Sequence, residues 1–67
     1  FRQQQLASFT AALAALPAAQ REAFILREDG GLSLDEIAQT TGVGRETAKS
    51  RLRYALSRLR KTLEPWS

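Results

Sequence analysis

Lysine and arginine side chains are concentrated in the last third of the chain. Seven of the ten lie between residues 45 and 61, where Glu46 is the only acid. Residues 1–44 carry three basic and five acidic side chains, so the net charge of +3 conceals a strong polarity along the chain. Between Lys49 and Lys61 there is no acid, whereas a merely solvated helix normally mixes acidic and basic side chains. This pattern predicts a surface that binds a polyanion, with DNA as the first candidate.

The composition argues against several other classes of function. The chain has no His and no Cys, and it shows neither a convergent pair of carboxylates nor a phosphate-cradling glycine loop. The chain therefore shows no apparent acid–base or nucleophilic apparatus, and it lacks the usual zinc ligands and any disulfide. No apolar run approaches the ~20 residues of a membrane span. We predict a non-enzymatic, cytoplasmic protein without cofactor, metal, small-molecule substrate or membrane contact, and we interpret residues 1–67 as one domain of a longer protein.

Four helices are predicted to position the basic residues. Apolar residues recur at helical spacing in segments separated by proline or glycine, namely residues 3–16, 17–28, 34–41 and 45–63. Pro17 ends the first helix and begins the second, and Pro65 stops the fourth. No strand pattern competes. Trp66 is expected to cover the end of the core.

The third and fourth segments have the layout of a helix-turn-helix. Ser33 is a predicted N-cap, and Glu36 three residues later completes a capping box. Gly42 and Gly44 form the turn before the long basic helix. The sequence therefore predicts an all-α, small four-helix domain with a C-terminal helix-turn-helix and no wing.

The fourth helix has two distinct faces. At about 100° per residue, one stripe is apolar and consists of Ala48, Leu52, Ala55, Leu56, Leu59 and Leu63. The opposite face carries Glu46, Thr47, Ser50, Arg53, Tyr54 and Ser57, with Lys49 and Arg60 on one flank and Arg51 and Arg58 on the other. We expect the outer face to reach base edges in a major groove and the flanking cations to reach phosphates. Tyr54 either points outward or packs sideways against the first helix.

Three strings resemble region 4 of sigma-70 family factors, and most of all the extracytoplasmic-function group: LPAAQREAFILRE, GLSLDEIAQTTGV and ETAKSRLRYALSRLRKTLE. This resemblance covers about residues 16–64. It implies recognition of the promoter −35 element, contact with the flap of the RNA polymerase β subunit, and control by an anti-sigma factor. It implies that bases are read by Lys49, Ser50, Arg53 and Tyr54. It implies backbone or supporting contacts by Arg45, Thr47 and Arg51. It also implies that a DNA phosphate lies near Ser33.

The chain departs from the family pattern at three positions. Thr41 and Ala48 stand where relatives usually carry aliphatic residues, which reduces the small core. Gly44 replaces a common Ser or Pro before the last helix, and glycine is a weaker N-cap than serine by only a few tenths of a kcal/mol.

The same residues allow further interpretations. Glu46 is a candidate acceptor for cytosine N4, and Arg58 is a candidate phosphate contact. The apolar run Phe24-Ile25-Leu26 is either core or partly a dock for the flap or an inhibitor. A quorum-type or response-regulator DNA-binding domain shares the four-helix plan, and a module that only docks an anti-sigma or polymerase helix is a further alternative.

Overall fold

The computed structural model describes residues 2–66, and of Trp66 it describes the backbone alone. Its elements are four α-helices and a final 3-10 turn: α1 (Gln3–Ala15), α2 (Ala18–Glu28), α3 (Leu34–Thr41), α4 (Arg45–Leu63) and η1 (Glu64–Trp66). Residues 2–66 contain no strand, which confirms the predicted all-α class. Pro17 is the N-cap of α2 and lies outside the helix, which therefore begins one residue after its predicted start. The expectation for the Trp66 side chain lies outside the described residues.

The predicted capping box at the start of α3 is confirmed. The backbone N–H of Ser33 donates to Oε1 of Glu36 over 2.8 Å, and the backbone N–H of Glu36 donates to Oγ of Ser33 over 3.1 Å. The backbone hydrogen bond from Ser33, followed by the Ser33 side chain, holds the pKa of Glu36 below its ordinary value. Asp35 adds a second carboxylate to the first turn, where the helix dipole favours negative charge.

The turn between α3 and α4 depends on a left-handed glycine. Gly42 ends α3 with φ 71° and ψ 31°, a conformation that carries a steric cost for residues with a Cβ. Immediately after it, the N–H of Val43 donates to the carbonyl of Ala38 over 3.0 Å. Gly44 then has ordinary extended angles, φ −72° and ψ 160°, and gives α4 no side-chain cap. The reversal at Gly42 therefore sets the direction in which α4 leaves α3.

Two small hydrophobic clusters hold the helices together, and α4 takes part in both. The first joins α2, α3 and α4 through Ala23, Ile37, Ala38 and Ala48, with Leu26, Leu32 and Val43 packed against it. The second joins α1, α2 and α4 through Leu16, Ala55 and Leu59, with Phe9, Ala12, Leu13 and Phe24 packed against it. In this second cluster the rings of Phe9 and Phe24 lie 6.1 Å apart and are tilted by 59°, a favourable aromatic geometry.

The apolar stripe predicted for α4 is buried only in part. Ala48, Ala55 and Leu59 are buried, but Leu52 is half-buried and Leu56 is 37% exposed. Leu56 is the residue of this stripe that the core leaves exposed. The reason is geometric, since the buried residues of α3 meet α4 at Ala48, whereas Leu16 at the end of α1 meets it further along, at Ala55 and Leu59. The flank that carries Leu56 is left partly open.

The apolar run at 24–26 is core only in part. Phe24 and Leu26 are half-buried and pack against the second and first clusters respectively, whereas Ile25 is 39% exposed. At the end of α3, the hydroxyl of Thr41 donates to the carbonyl of Ile37 over 2.7 Å, so this polar departure from the family pattern is satisfied locally. No described helix is long and apolar enough to cross a membrane.

We expect the same substitution to act in opposite directions at the two turn glycines. An added Cβ meets nothing within 4 Å at either Gly42 or Gly44, so only the backbone angles differ. Gly44→Ser should raise the free energy of unfolding by up to about 1 kcal/mol, because serine adds a cap and restricts the unfolded chain. Gly42→Ser should lower it by about 1 kcal/mol, because its φ is left-handed. Urea unfolding followed by far-UV circular dichroism checks this; shifts of the same sign would contradict it.

Candidate nucleic-acid interface

The outer face of α4 is exposed as predicted. Glu46, Thr47, Arg53 and Tyr54 are exposed and Ser50 is half-buried. This face points away from Ala48 and Ala55, both of which have no exposed surface. Because those two alanines are fixed in separate clusters, the direction of the face is defined along two turns of the helix. Base reading by its residues stays a prediction.

Arg53 and Tyr54 form a stacked pair on that face. The guanidinium carbon of Arg53 lies 5.3 Å from the centroid of the Tyr54 ring, within the range of a cation–π contact worth about 0.5–1 kcal/mol at an exposed site. Tyr54 is 53% exposed, so the outward interpretation of this residue is confirmed over the sideways one. The guanidinium of Arg53 has five N–H donors, and the stack places them beside the phenol ring of Tyr54. The donors suit a base edge, and the ring suits the neighbouring base.

An ion pair joins the first turns of α3 and α4. Nε of Arg45 lies 2.9 Å from Oδ1 of Asp35, and the two side chains are 57% and 79% exposed. An exposed pair of this kind contributes at most about 1 kcal/mol to stability. Its larger consequence concerns binding, since Asp35 holds Arg45 towards α3 and offsets its charge. The two residues are ten positions apart in the chain and no local sequence pattern links them, so the pair depends on the way α3 and α4 pack.

The start of α3 would present to a phosphate both the positive end of a helix and two carboxylates. Ser33 is exposed, but its hydroxyl oxygen already accepts the N–H of Glu36. The carboxylates of Asp35 and Glu36 also occupy the positive end of the helix. A phosphate near Ser33 would therefore share this end with two acids, and the contact implied by the family resemblance stays a prediction.

The cations of α4 lie on opposite sides of the helix. Lys49, Arg53 and Arg60 lie on the side that includes Leu34 of α3, whereas Arg58 lies beside α1, next to Ala12, Leu16 and Thr62. Arg51 is half-buried. Of the ten predicted DNA-binding residues, Arg58 lies furthest along α4, about 12 Å beyond Ser50 at 1.5 Å per residue. This arrangement suits contacts with the phosphates of both DNA strands, on either side of one groove.

Arginines outside α4 are used differently. Nη1 of Arg21 donates to the carbonyl of Ala14 over 2.8 Å, and Nη1 of Arg27 donates to the carbonyl of Leu32 over 3.0 Å. These bonds tie the connections on either side of α2. In the part of the chain that the structure describes, no group of His, Cys, Asp or Glu could hold a metal ion. The cations of α4 give that helix a positive charge suited to binding an anion.

Comparison with known proteins agrees with this geometry. The family described as "Sigma-70, region 4" matches residues 12–61. The matched segment includes the end of α1, all of α2 and α3, and α4 as far as Lys61. A comparison with curated proteins finds no match.

We expect Asp35→Asn to strengthen DNA binding without weakening the fold. Loss of the exposed ion pair should change the free energy of unfolding by less than about 1 kcal/mol. Release of Arg45 should raise affinity for a DNA duplex at low salt, with a smaller gain at high salt because the effect is electrostatic. Fluorescence anisotropy with a labelled duplex at two salt concentrations measures both.

Glu22→Gln is the matched control for this experiment. Glu22 is an exposed acid on α2, and its substitution changes the net charge by the same amount. An equal gain in affinity from both variants would show that net charge, and not the release of Arg45, is responsible.

Proposed function

Because this chain belongs to the sigma-70 region 4 family, a family of DNA-binding domains that act in transcription, we propose that it recognises the promoter −35 element through the outer face of α4. The resemblance of its motifs favours the extracytoplasmic-function group of sigma factors. The observation that carries the proposal is the Arg53–Tyr54 stack, held outward by the buried alanines on the other side of the same helix. Promoter DNA and polymerase as partners place this role in the cytoplasm.

The proposed base contacts follow from the donors and acceptors on this face. Arg53 or Lys49 pairs with guanine O6 and N7, Ser50 bonds a neighbouring base, and Glu46 accepts from cytosine N4. Tyr54 contacts a thymine methyl group or a phosphate. The remaining predicted residues contact phosphates or support these contacts: Ser33, Arg45, Thr47, Arg51 and Arg58.

Affinity for DNA should depend on polymerase. One good bidentate pair gives about 1–3 kcal/mol of discrimination, and a single short face offers few such pairs. A second contact is therefore needed to hold the domain on the promoter, and the exposed Ile25 supports such a contact. It lies in a groove lined by Ala18, Arg21, Glu22 and Leu26 on α2, well separated in sequence from the DNA face. We propose this α2 groove as the site for the β flap, and as one surface that an anti-sigma factor would cover.

The family match favours this function over a quorum-type or response-regulator domain, which would bind symmetric half-sites as a dimer. A module that only docks a protein helix would bind with little dependence on salt. The basic α4 instead supports binding that weakens steeply as salt rises, through release of counterions.

Arg53→Ala should change the base preference of the chain. In a selection from random duplexes, loss of the guanidinium should relax one position of the site, at a cost of about 1–3 kcal/mol against the preferred base. Arg58→Ala is the control, since it should weaken binding to all sequences alike and reduce the salt dependence. An unchanged preference in the Arg53 variant would reduce Arg53 to a phosphate contact, and a sequence-selective effect of Arg58→Ala would overturn its assignment.

Ile25→Gln should weaken binding to a purified β-flap fragment by roughly tenfold or more, as expected for loss of one buried aliphatic contact. Its affinity for DNA should stay unchanged, because Ile25 is on α2. Leu56→Gln, which alters a similarly exposed residue on α4, is the matched control and should leave flap binding intact. Equal loss in both variants, measured by isothermal titration, would contradict the α2 site.

A further inference from the structure

The contact between Arg53 and Tyr54 leaves the donors of this arginine available. Arg21 and Arg27 donate to backbone carbonyls, and Arg45 takes part in an ion pair. In the part of the chain that the structure describes, the guanidinium of Arg53 contacts the Tyr54 ring and no hydrogen-bond acceptor. Its five N–H donors can therefore bind a ligand while the contact with the ring is kept.

The backbone that carries this pair is held by packing on both sides. Leu52 before it is half-buried, and Ala55 after it has no exposed surface. Arg53 is exposed and Tyr54 is 53% exposed, so both side chains project from a fixed segment of α4. The pair thus presents a guanidinium and an aromatic ring at a set separation, 5.3 Å from the guanidinium carbon to the ring centroid.

The two groups suit different features of the major groove. Guanine offers two acceptors, O6 and N7, which an arginine binds through two parallel hydrogen bonds. The ring of a tyrosine is apolar, and the apolar group that the four bases present in this groove is the C5-methyl group of thymine. 5-Methylcytosine carries a methyl group at the same ring position. Arg53 therefore suits guanine, and the ring of Tyr54 suits a pyrimidine with a 5-methyl group.

The separation of the two groups limits the distance between the two bases. Successive base pairs are about 3.4 Å apart along the duplex axis. A ring centroid 5.3 Å from the guanidinium carbon can reach the neighbouring base pair with a sideways offset. A base pair two steps away lies about 6.8 Å along the axis, which is further than this separation. The two bases should therefore belong to adjacent base pairs.

We propose that Arg53 and Tyr54 read a single base step as one unit, guanine beside a pyrimidine that carries a 5-methyl group. This inference rests on the proposed function, because it requires the outer face of α4 to lie in a major groove. It makes the methyl group itself a determinant of sequence preference. Uracil in place of thymine, or cytosine in place of 5-methylcytosine, should weaken binding although the base pairing is unchanged.

Duplexes that differ by one methyl group test the proposal. The parent duplex is recovered with this chain at low salt in a selection from random sequences, and its key guanine is the one whose preference depends on Arg53. Each thymine in the base pairs beside that guanine is replaced in turn by uracil. A second series compares 5-methylcytosine with cytosine at the same position.

Fluorescence anisotropy with these duplexes measures the contribution of the methyl group. At the position that Tyr54 contacts, the methyl group should tighten binding by about fourfold, the effect of burying one group of this size. Uracil at a thymine outside the selected site is the matched control and should change nothing. A selected site without thymine in either base pair beside the guanine, or equal binding of the thymine and uracil duplexes, would overturn the proposal.

Two substitutions at residue 54 separate the ring from its hydroxyl group. Tyr54→Phe keeps the ring and should keep the methyl effect. Tyr54→Ala removes the ring and should abolish the methyl effect, and it should also reduce the preference for guanine because Arg53 loses its cation–π contact. A methyl effect that survives Tyr54→Ala, or one that is lost in Tyr54→Phe, would contradict reading by the ring.

Failure of this proposal is distinguishable from failure of the proposed function. If the chain selects a site in which Arg53→Ala relaxes a guanine but the methyl group has no effect, the proposed function stands and the paired reading fails. If Arg53→Ala relaxes no guanine, the paired reading fails as well. If the chain selects no sequence from the random duplexes, the proposed function fails and this inference with it.

Discussion

The structure depends on the close packing of α4 against three other helices at two alanines. Ala48 and Ala55 are seven residues apart, which is about two turns, and both are completely buried. Ala48 is held by α2 and α3, and Ala55 is held by α1 and α2. A chain of 67 residues without cysteine has little other means of orienting a helix. Two separate contacts along α4 set its rotation, and that rotation determines which side chains face a ligand.

Small residues at these positions also explain the limits of the core. Alanine lets helix backbones approach closely, but it contributes little apolar area of its own. The larger side chains therefore lie around the alanines, and several of them stay half-buried. Leu56 and Ile25, on α4 and α2 respectively, remain substantially exposed. The apolar surface left on these two helices is what makes the domain suited to partners.

The basic side chains of α2 and those of α4 have different roles. Arg21 and Arg27 donate to backbone carbonyls and stabilise connections near α2, while the cations of α4 line its flanks and outer face. Concentrating them on one helix costs self-repulsion, which an anionic partner offsets. Asp35 moderates this field at one point through its pair with Arg45. Arg53 lies between the outer face, where it stacks on Tyr54, and the flank of α4 that carries Leu52 and Leu56.

The sequence by itself determined the features that depend on neighbouring residues. The four helices, the capping box of Ser33 and Glu36, and the turn at Gly42 follow from short-range hydrogen bonding and backbone sterics, and the structure has them within one residue of the predicted positions. The exposed outer face of α4 followed from helical periodicity. Only the tertiary structure decided where α1 and α3 cross α4, because that depends on packing between residues far apart in the chain. Those crossings leave Leu56 exposed, place Arg58 beside α1, and bring Arg45 to Asp35.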